Sequence, residues 1–340
     1  MYSEIITTFK RRRTTGMLAC RYSRPVAFVG IGHHSLTNLY PVIEQLRVPL
    51  RYICLHSTRL VHLVEQHFPG VHVVHSLDPV LSDPEVEAVF VATTPRAQCS
   101  LACQVLQSGK ALFIEKPPCR TLAELDHLAA LPSQRLQVGL QKRYAPAVQT
   151  LVRHLRHRSL EHYTLRYCTG AYPEGNMLTD LFIHPLDLVV FLFGPAQVAG
   201  VVRSGHGTLL VHLLHESVAG ALELSADYSW QRPVEELTVV GRQGVYHLQG
   251  TEQLTCTSIP PSLVGVPMEK VFRRHASEWI LYRRESFSLI PDASTLVSEG
   301  FYGEVKAFVD ALEEGKGWSR LTGLASVRPA YELMQQIDSW

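Results

Sequence analysis

The sequence lacks any run of the ~18 uninterrupted apolar residues that a membrane-spanning helix requires. Its most apolar stretch, 188–202, is broken by Gly194 and Pro195, so no membrane partner is expected. It also lacks an excess of charge of either sign. Thirty-two Lys and Arg face 31 Asp and Glu, a formal net charge of +1, which argues against a nucleic-acid partner recruited by bulk charge. Cysteine pairs of the form CxxC are absent. The seven cysteines (Cys20, Cys54, Cys99, Cys103, Cys119, Cys168 and Cys256) are odd in number. Only Cys99 and Cys103 lie close, at a spacing that places them on one helical face. The pattern predicts reduced thiols of a cytoplasmic chain, with neither a disulfide framework nor a metal site. What is present is a globular composition, with 46% hydrophobic and 19% charged residues over 340 positions. That suffices for a sizeable core and, at ~150 residues per domain, for two domains.

Residues 1–24 stand apart. Lys10-Arg11-Arg12-Arg13 precedes a short apolar segment that ends at Cys20, and Arg21 follows directly. A secretory signal has ~7–15 apolar residues there. The segment reads instead as a flexible basic extension.

Residues 25–143 alternate strand and helix. Val26-Ala27-Phe28-Val29 is a continuous apolar run of buried parallel-strand type. Helical spacing follows over 35–46, then strands over 51–55, 71–75, 86–93, 111–114 and 137–140, with helices over 58–67 and 97–108. This predicts a doubly wound α/β domain with a parallel sheet. Over 144–340 the pattern turns to longer alternating segments, among them 163–167, 220–225, 236–240 and 245–248. Gly241-Arg242-Gln243-Gly244 reads as a hairpin connection, and two amphipathic helices (300–314 and 323–337) end the chain. A second, α+β domain with an antiparallel sheet is expected.

Gly30-Ile31-Gly32-His33-His34-Ser35 follows the first strand and opens a helix. The first glycine permits a tight turn, the second lets backbone approach a pyrophosphate, and the helix start offers N–H groups to it. The third fingerprint position is Ser35 rather than glycine, so a purely structural turn stays open as the alternative. After the second strand, Leu55-His56-Ser57-Thr58-Arg59 carries no acid to hold a ribose 2′-hydroxyl. Two hydroxyls and a guanidinium suit a 2′-phosphate, which favours NADP over NAD. Glu115-Lys116-Pro117-Pro118 ends a strand at the edge where parallel sheets bind ligands. A lysine there can steady negative charge on a substrate oxygen. Asp180 and His184, four residues apart, suit an acid/base pair in which Asp180 fixes the tautomer of His184. Pro185 places them at a loop–helix junction.

The glycine turn, Thr93-Thr94-Pro95, Gly109-Lys110, Glu115-Lys116-Pro117, Arg143-Tyr144-Ala145-Pro146 and the run Leu178 to Asp187 occur in that order. Together they resemble the Gfo/Idh/MocA family, the glucose–fructose oxidoreductase and inositol dehydrogenase relatives. The resemblance implies a Rossmann domain, a second domain with a large open, mostly antiparallel sheet, and hydride transfer between NAD(P) and a hydroxyl or carbonyl carbon of a small polar molecule. By position, Lys116, Asp180 and His184 match its catalytic residues. Gly30 to Ser35, Ser57 to Arg59, Thr93 to Pro95, Glu115, Lys116 and Arg143 then fall on or near the cofactor, and Tyr172 and Asn176, shortly before the Asp180 motif in sequence, are expected to line the substrate pocket. A homodimer or homotetramer formed through the second-domain sheet is also implied. Cys99 stands where the family usually has histidine. Imine or conjugated double-bond reduction, transient use of NAD in glycoside cleavage, and a non-catalytic NAD(P)-binding sensor are the other readings.

Overall fold

In the computed structural model, residues 2–18, 21–133, 135–260, 262–264, 266–272, 277–285, 294–318 and 322–340 are described. The chain opens with helix α1 (Tyr2–Leu18), where sequence reading expects a flexible extension. Residues 2–18 contain no proline and a single glycine, Gly16, so nothing local interrupts helical hydrogen bonding. Ile5, Ile6 and Phe9 of this helix are exposed.

The N-terminal domain then runs β1 (Val26–Val29), α2 (Tyr40–Leu46), β2 (Leu50–Cys54), α3 (Val61–His67), β3 (His72–Val74) and α4 (Asp78–Ser82). Its second half is β4 (Ala88–Val91), α5 (Pro95–Gln107), β5 (Ala111–Glu115), α6 (Leu122–Ala129) and β6 (Leu136–Gly139). The sheet order is β3-β2-β1-β4-β5-β6, and every pairing is parallel. All four residues of β1 and of β4 are buried, as a sheet covered on both faces demands. The order reverses between β1 and β4, and the crevice beyond their carboxyl ends is where such sheets take ligands.

A 3-10 turn, Gln141–Tyr144, leads into the second domain. Its elements are α7 (Pro146–Leu155), β7 (Leu160–Cys168), α8 (Ile183–Phe193), β8 (Ala196–Ser204), β9 (Thr208–His215), β10 (Ala219–Ser225), β11 (Val234–Gly241), β12 (Gly244–Gln249) and β13 (Gln253–Ser258). Short β14 (Ser262–Leu263), β15 (Val266–Pro267) and α9 (Met268–Phe272) precede β16 (Glu278–Arg283), then α10 (Thr295–Ser298), α11 (Phe301–Glu314) and α12 (Leu324–Ser339). The eight strands order as β16-β13-β12-β11-β7-β10-β9-β8. Only β7 and β10 pair in parallel. The expected hairpin is the β11–β12 connection. Along β9, Leu209, Val211, Leu213 and His215 point inward while Leu210, His212 and Leu214 point out, the two-residue period of a sheet with one covered face.

The domain boundary needs correction. Helix α11 does not stay with the second sheet. Its buried stripe (Phe301, Val305, Phe308, Val309, Leu312) joins the core of β1, β4 and β5. Phe308 meets Phe90 and Phe113 edge-on, with ring centroids 5.2 and 5.6 Å apart, and each ring so buried contributes ~1.5–3 kcal/mol. The N-terminal domain is therefore completed by the C-terminal part of the chain. Helix α12 bridges, packing on α6 and β6 on one side and on α8 and β8 on the other.

Candidate active site

Beyond the end of β1 the backbone turns at Gly30, with φ +101°. A Cβ there would lie 2.1 Å from the Ala92 carbonyl oxygen, so only glycine fits. The Gly30 N–H donates to Cys54 O at 2.9 Å, and the buried Tyr40 hydroxyl donates to Gly30 O at 3.0 Å. A Cβ on Gly32 would meet nothing within 4 Å, so the second glycine faces open space. Ser35 explains the missing third glycine. Its buried hydroxyl accepts from the Gly32 N–H at 3.0 Å and donates to Gly32 O at 3.1 Å, tightening the turn from within. The helix that follows starts with a π turn, Ser35–Leu39, before α2.

This turn borders a cleft of about 990 Å³. Gly30, Ile31, Gly32, His33, His34, Ser35, Ser57, Thr93, Thr94, Pro95, Glu115, Lys116, Tyr172 and Asp180 all line it. Thr93 contributes a buried Oγ1 without a hydrogen-bond partner. A cleft of this size with a glycine turn at a helix start and an unsatisfied hydroxyl suits a dinucleotide. Sequence reasoning missed His56, His75, Ser76 and Leu77, which line the same cleft beyond β2 and β3. The residue range 71–75 carries no signal for that role.

At the far wall the two domains meet. Lys116 Nζ donates to the main-chain oxygen of Asp180 at 2.9 Å. Burial lowers the Lys116 ammonium below the ordinary lysine range, while Glu115 and Asp180 pull it back up. Glu115 accepts from the Lys116 N–H at 3.1 Å and lies 3.3 Å from His34 Nε2. His34 Nδ1 is in turn 3.1 Å from the Asn38 amide nitrogen. His184 stands near this cluster on the first turn of α8, with its Nδ1 buried and unpartnered. Burial first, then the charges of Lys116 and Lys142 and the His34 ring, hold its pKa well below the usual imidazole range. Lys142, unanticipated from sequence, forms an ion pair with Glu235 of β11 and lies 5.7 Å from the Tyr167 ring.

Several expectations are corrected. Asp180 does not orient His184. Its Oδ2 accepts from the Asn176 N–H at 3.1 Å and its Oδ1 from the Thr179 hydroxyl at 2.9 Å. The π turn Met177–Leu181 and the break at Phe182 displace it from the helical face that a four-residue spacing assumes. Asn176 caps that turn, accepting from the Leu178 and Thr179 N–H groups, and borders a separate 420 Å³ hollow. Arg143 is not at the cofactor cleft. It is buried in a two-pronged pair with Asp187 (2.8 and 2.5 Å) and also donates to Ser326 O at 3.0 Å. Thr58 and Arg59 fall in a 3-10 turn and are exposed outside the cleft lining. His184 is not among the residues that line the cleft.

Residues 25–140 match the sequence profile described as "Oxidoreductase family, NAD-binding Rossmann fold". That profile is the NAD-binding domain of the Gfo/Idh/MocA oxidoreductases, and this part of the chain is similar to it. The chain is 25% identical over 263 residues to the scyllo-inositol 2-dehydrogenase (NAD(+)) of Bacillus subtilis, covering 71% of this chain and 72% of that one. It is 24% identical over 283 residues to the D-apiose dehydrogenase of Paraburkholderia graminis, covering 72% and 76%. Among solved structures, a dehydrogenase from Chromobacterium violaceum superposes with TM-score 0.77 at 21% identity, over 93% of this chain and 94% of that one. A levoglucosan dehydrogenase in complex with NADH and levoglucosan gives TM-score 0.76 at 15% identity, over 93% and 96%. The doubly wound first domain and the mostly antiparallel second sheet are the fold of these solved dehydrogenases, and the first domain suits a nicotinamide dinucleotide.

Proposed function

We propose that the chain is an NAD(P)-dependent dehydrogenase that moves a hydride between the nicotinamide and a hydroxyl- or carbonyl-bearing carbon of a sugar, a polyol or a close derivative. One observation carries the reading. A lysine ammonium, with its pKa lowered by burial, reaches from the cofactor domain to the Asp180 carbonyl beside His184. Gly30 to Ser35 and Thr93 to Pro95 would hold the dinucleotide, which when bound supplies the hydride acceptor or donor. Lys116 exchanges its hydrogen bond to the Asp180 carbonyl for one to the substrate oxygen, steadying the charge that grows there during transfer. A lowered pKa also suits it to passing the hydroxyl proton. His184, kept neutral by burial, is the second group able to accept that proton through its unpartnered nitrogen. Asp180 acts chiefly through its main chain, as the rest on which Lys116 is positioned. Tyr172, which faces both the cleft and the smaller hollow, is placed to touch substrate.

Relatives named as dehydrogenases of scyllo-inositol and D-apiose support a polyhydroxylated substrate. NADP is the favoured dinucleotide, because no carboxylate borders the cleft beyond β2. A homo-oligomer joined through the outer face of the second sheet completes the reading, in a cytoplasmic setting where the described cysteines are free. No helix among the described residues is long and apolar enough to cross a membrane. The test is a panel of inositols, aldoses, keto-sugars and cyclic imines, incubated with NADPH, NADP, NADH and NAD while nicotinamide absorbance is followed. Net turnover on a polyol or sugar is expected. Turnover on imines alone, or none with dinucleotide bound, would remove the reading.

A further inference from the structure

Behind the wall of the cleft lies a group of side chains that the oxidoreductase reading does not use. The thiols of Cys99 and Cys119 and a carboxylate oxygen of Glu124 all lie within 4.8 Å of one another. They come from three places. Cys99 is in the second turn of α5, Cys119 lies in the link after Lys116, and Glu124 is in the first turn of α6. Cys103 sits one turn further along α5, its thiol close enough to hydrogen-bond that of Cys99. The sequence, with no CxxC pair, predicts no such cluster, because the fold alone brings residues 99 and 119 together.

We propose that Cys99, Cys119 and Glu124, with Cys103 as the fourth ligand, form a site for a thiophilic divalent cation of the zinc type. Two or three sulfurs and one carboxylate oxygen are a borderline-soft donor set, which selects such ions over magnesium or calcium. The parts are held as ligands need to be. The Cys119 backbone is clamped by one side chain, its N–H donating to the Tyr331 hydroxyl at 3.3 Å and its carbonyl accepting from that hydroxyl at 2.7 Å. One oxygen of Glu124 accepts from the Arg120 N–H at 2.7 Å, which orients the carboxylate and leaves its other oxygen unclaimed, as outer contacts do at metal sites. Cys119 is fully buried, whereas Cys99, Cys103 and Glu124 keep partial exposure, so an ion has a way in. Binding releases the thiol protons, and affinity therefore rises with pH.

The site also has a place in the molecule. Cys119 stands three residues after Lys116, and Cys99 four after Pro95 of the cleft lining. A bound ion ties the lysine-bearing link to the helix that begins at the cofactor cleft.

The experiment titrates the reduced, metal-free full chain with cobalt(II) chloride, then with zinc(II) in competition, under exclusion of oxygen. Expected are one equivalent of cobalt per chain, thiolate-to-cobalt charge-transfer absorption with intense tetrahedral d–d bands, and displacement by zinc. Cys99→Ser and Cys119→Ser each abolish the charge-transfer band. Glu124→Gln preserves the helix cap, since glutamine can serve in that position, and weakens cobalt at least ~10-fold. Should the cysteine variants fail to fold, the Glu124→Gln affinity decides. Absence of charge-transfer absorption in the parent chain overturns the proposal. So does cobalt binding unchanged in Glu124→Gln, or in both folded cysteine variants.

Discussion

Lys116 of the first domain rests on the main-chain oxygen of Asp180 of the second, at 2.9 Å, and not on its carboxylate. The distinction matters for chemistry. A hydrogen bond to a neutral carbonyl leaves the ammonium without a paired countercharge, so burial can lower its pKa. It is also weak enough to be exchanged for a substrate oxygen. The Asp180 carboxylate is meanwhile engaged with Asn176 and Thr179, holding the turn that presents the carbonyl.

Arg143 and Asp187 fasten the domains from behind. Asp187 is raised by burial despite the guanidinium beside it, so loss of Arg143 leaves an uncompensated buried acid. Arg143→Ala is expected to cost ~3–5 kcal/mol, read as a fall in Tm, while dinucleotide affinity per folded chain stays near that of the parent. Arg143→Lys recovers little, since a single ammonium cannot replace the planar fork. An unchanged Tm with lost cofactor affinity would return Arg143 to the cofactor site.

Glu304 sits on α11, fully buried, with the Leu140 backbone as the one hydrogen-bonding group beside its carboxyl among the described residues. Burial, and then Glu115, raise its pKa well above the usual carboxylate range. The folded chain thus binds this proton more tightly than the unfolded one. The stability it contributes is complete below the ordinary carboxyl pKa and is lost as pH climbs through the raised value. Glu304→Gln removes that dependence. Its stability relative to the parent is expected to be at least ~1 kcal/mol better at pH 8 than at pH 5, a difference below one pK unit. Denaturant unfolding at the two pH values measures it, and an equal difference at both would show that the folded chain does not raise the Glu304 pKa.

The choice of dinucleotide turns on the end of β2. NADPH is expected to bind more tightly than NADH, and Ser57→Asp to reverse the order by placing an acid beside the ribose. Fluorescence titration with both cofactors checks this. Tighter NADH binding by the parent chain would end the claim.

The outer face of the second sheet carries Val202 opposite Leu210, with Leu214 four residues further on the same face and 53% exposed. These residues are expected to lie between subunits. Light scattering at micromolar concentration should give a dimer or tetramer, and Leu210→Glu with Leu214→Glu a smaller species. A monomeric parent chain would refute the interface.

Much of the first domain was legible because its signals are local. Val26-Ala27-Phe28-Val29 followed by Gly30 and Gly32 reads as a buried strand and a ligand turn, and that is what forms. Helix α6 was missed although Thr121 accepts from the Glu124 N–H and Glu124 from Arg120, a capping pattern visible as Thr-x-x-Glu. The site was legible as residue types and less so as contacts. A four-residue spacing of Asp180 and His184 assumes a regular helix, and the π turn breaks that assumption. Arg143 found Asp187, 44 positions away, and Lys142 found Glu235, 93 positions away. No periodicity reports pairings of that range. The return of α11 to the first domain is of the same kind, since its apolar stripe fits either core until the fold selects one.

The most direct test of the account compares the parent chain with Lys116→Ala and His184→Ala on the polyol or sugar that the panel identifies, following nicotinamide absorbance under saturating cofactor. The account predicts a loss of turnover of ~10²–10⁴-fold for Lys116→Ala, the range for a positioned proton-transfer group, with dinucleotide affinity nearly unchanged and a smaller loss for His184→Ala. In the parent, oxidation accelerates as pH rises toward a plateau below the free-lysine pKa, and in Lys116→Ala that rise is absent. Near-parental turnover in Lys116→Ala, with the pH profile intact, would contradict it.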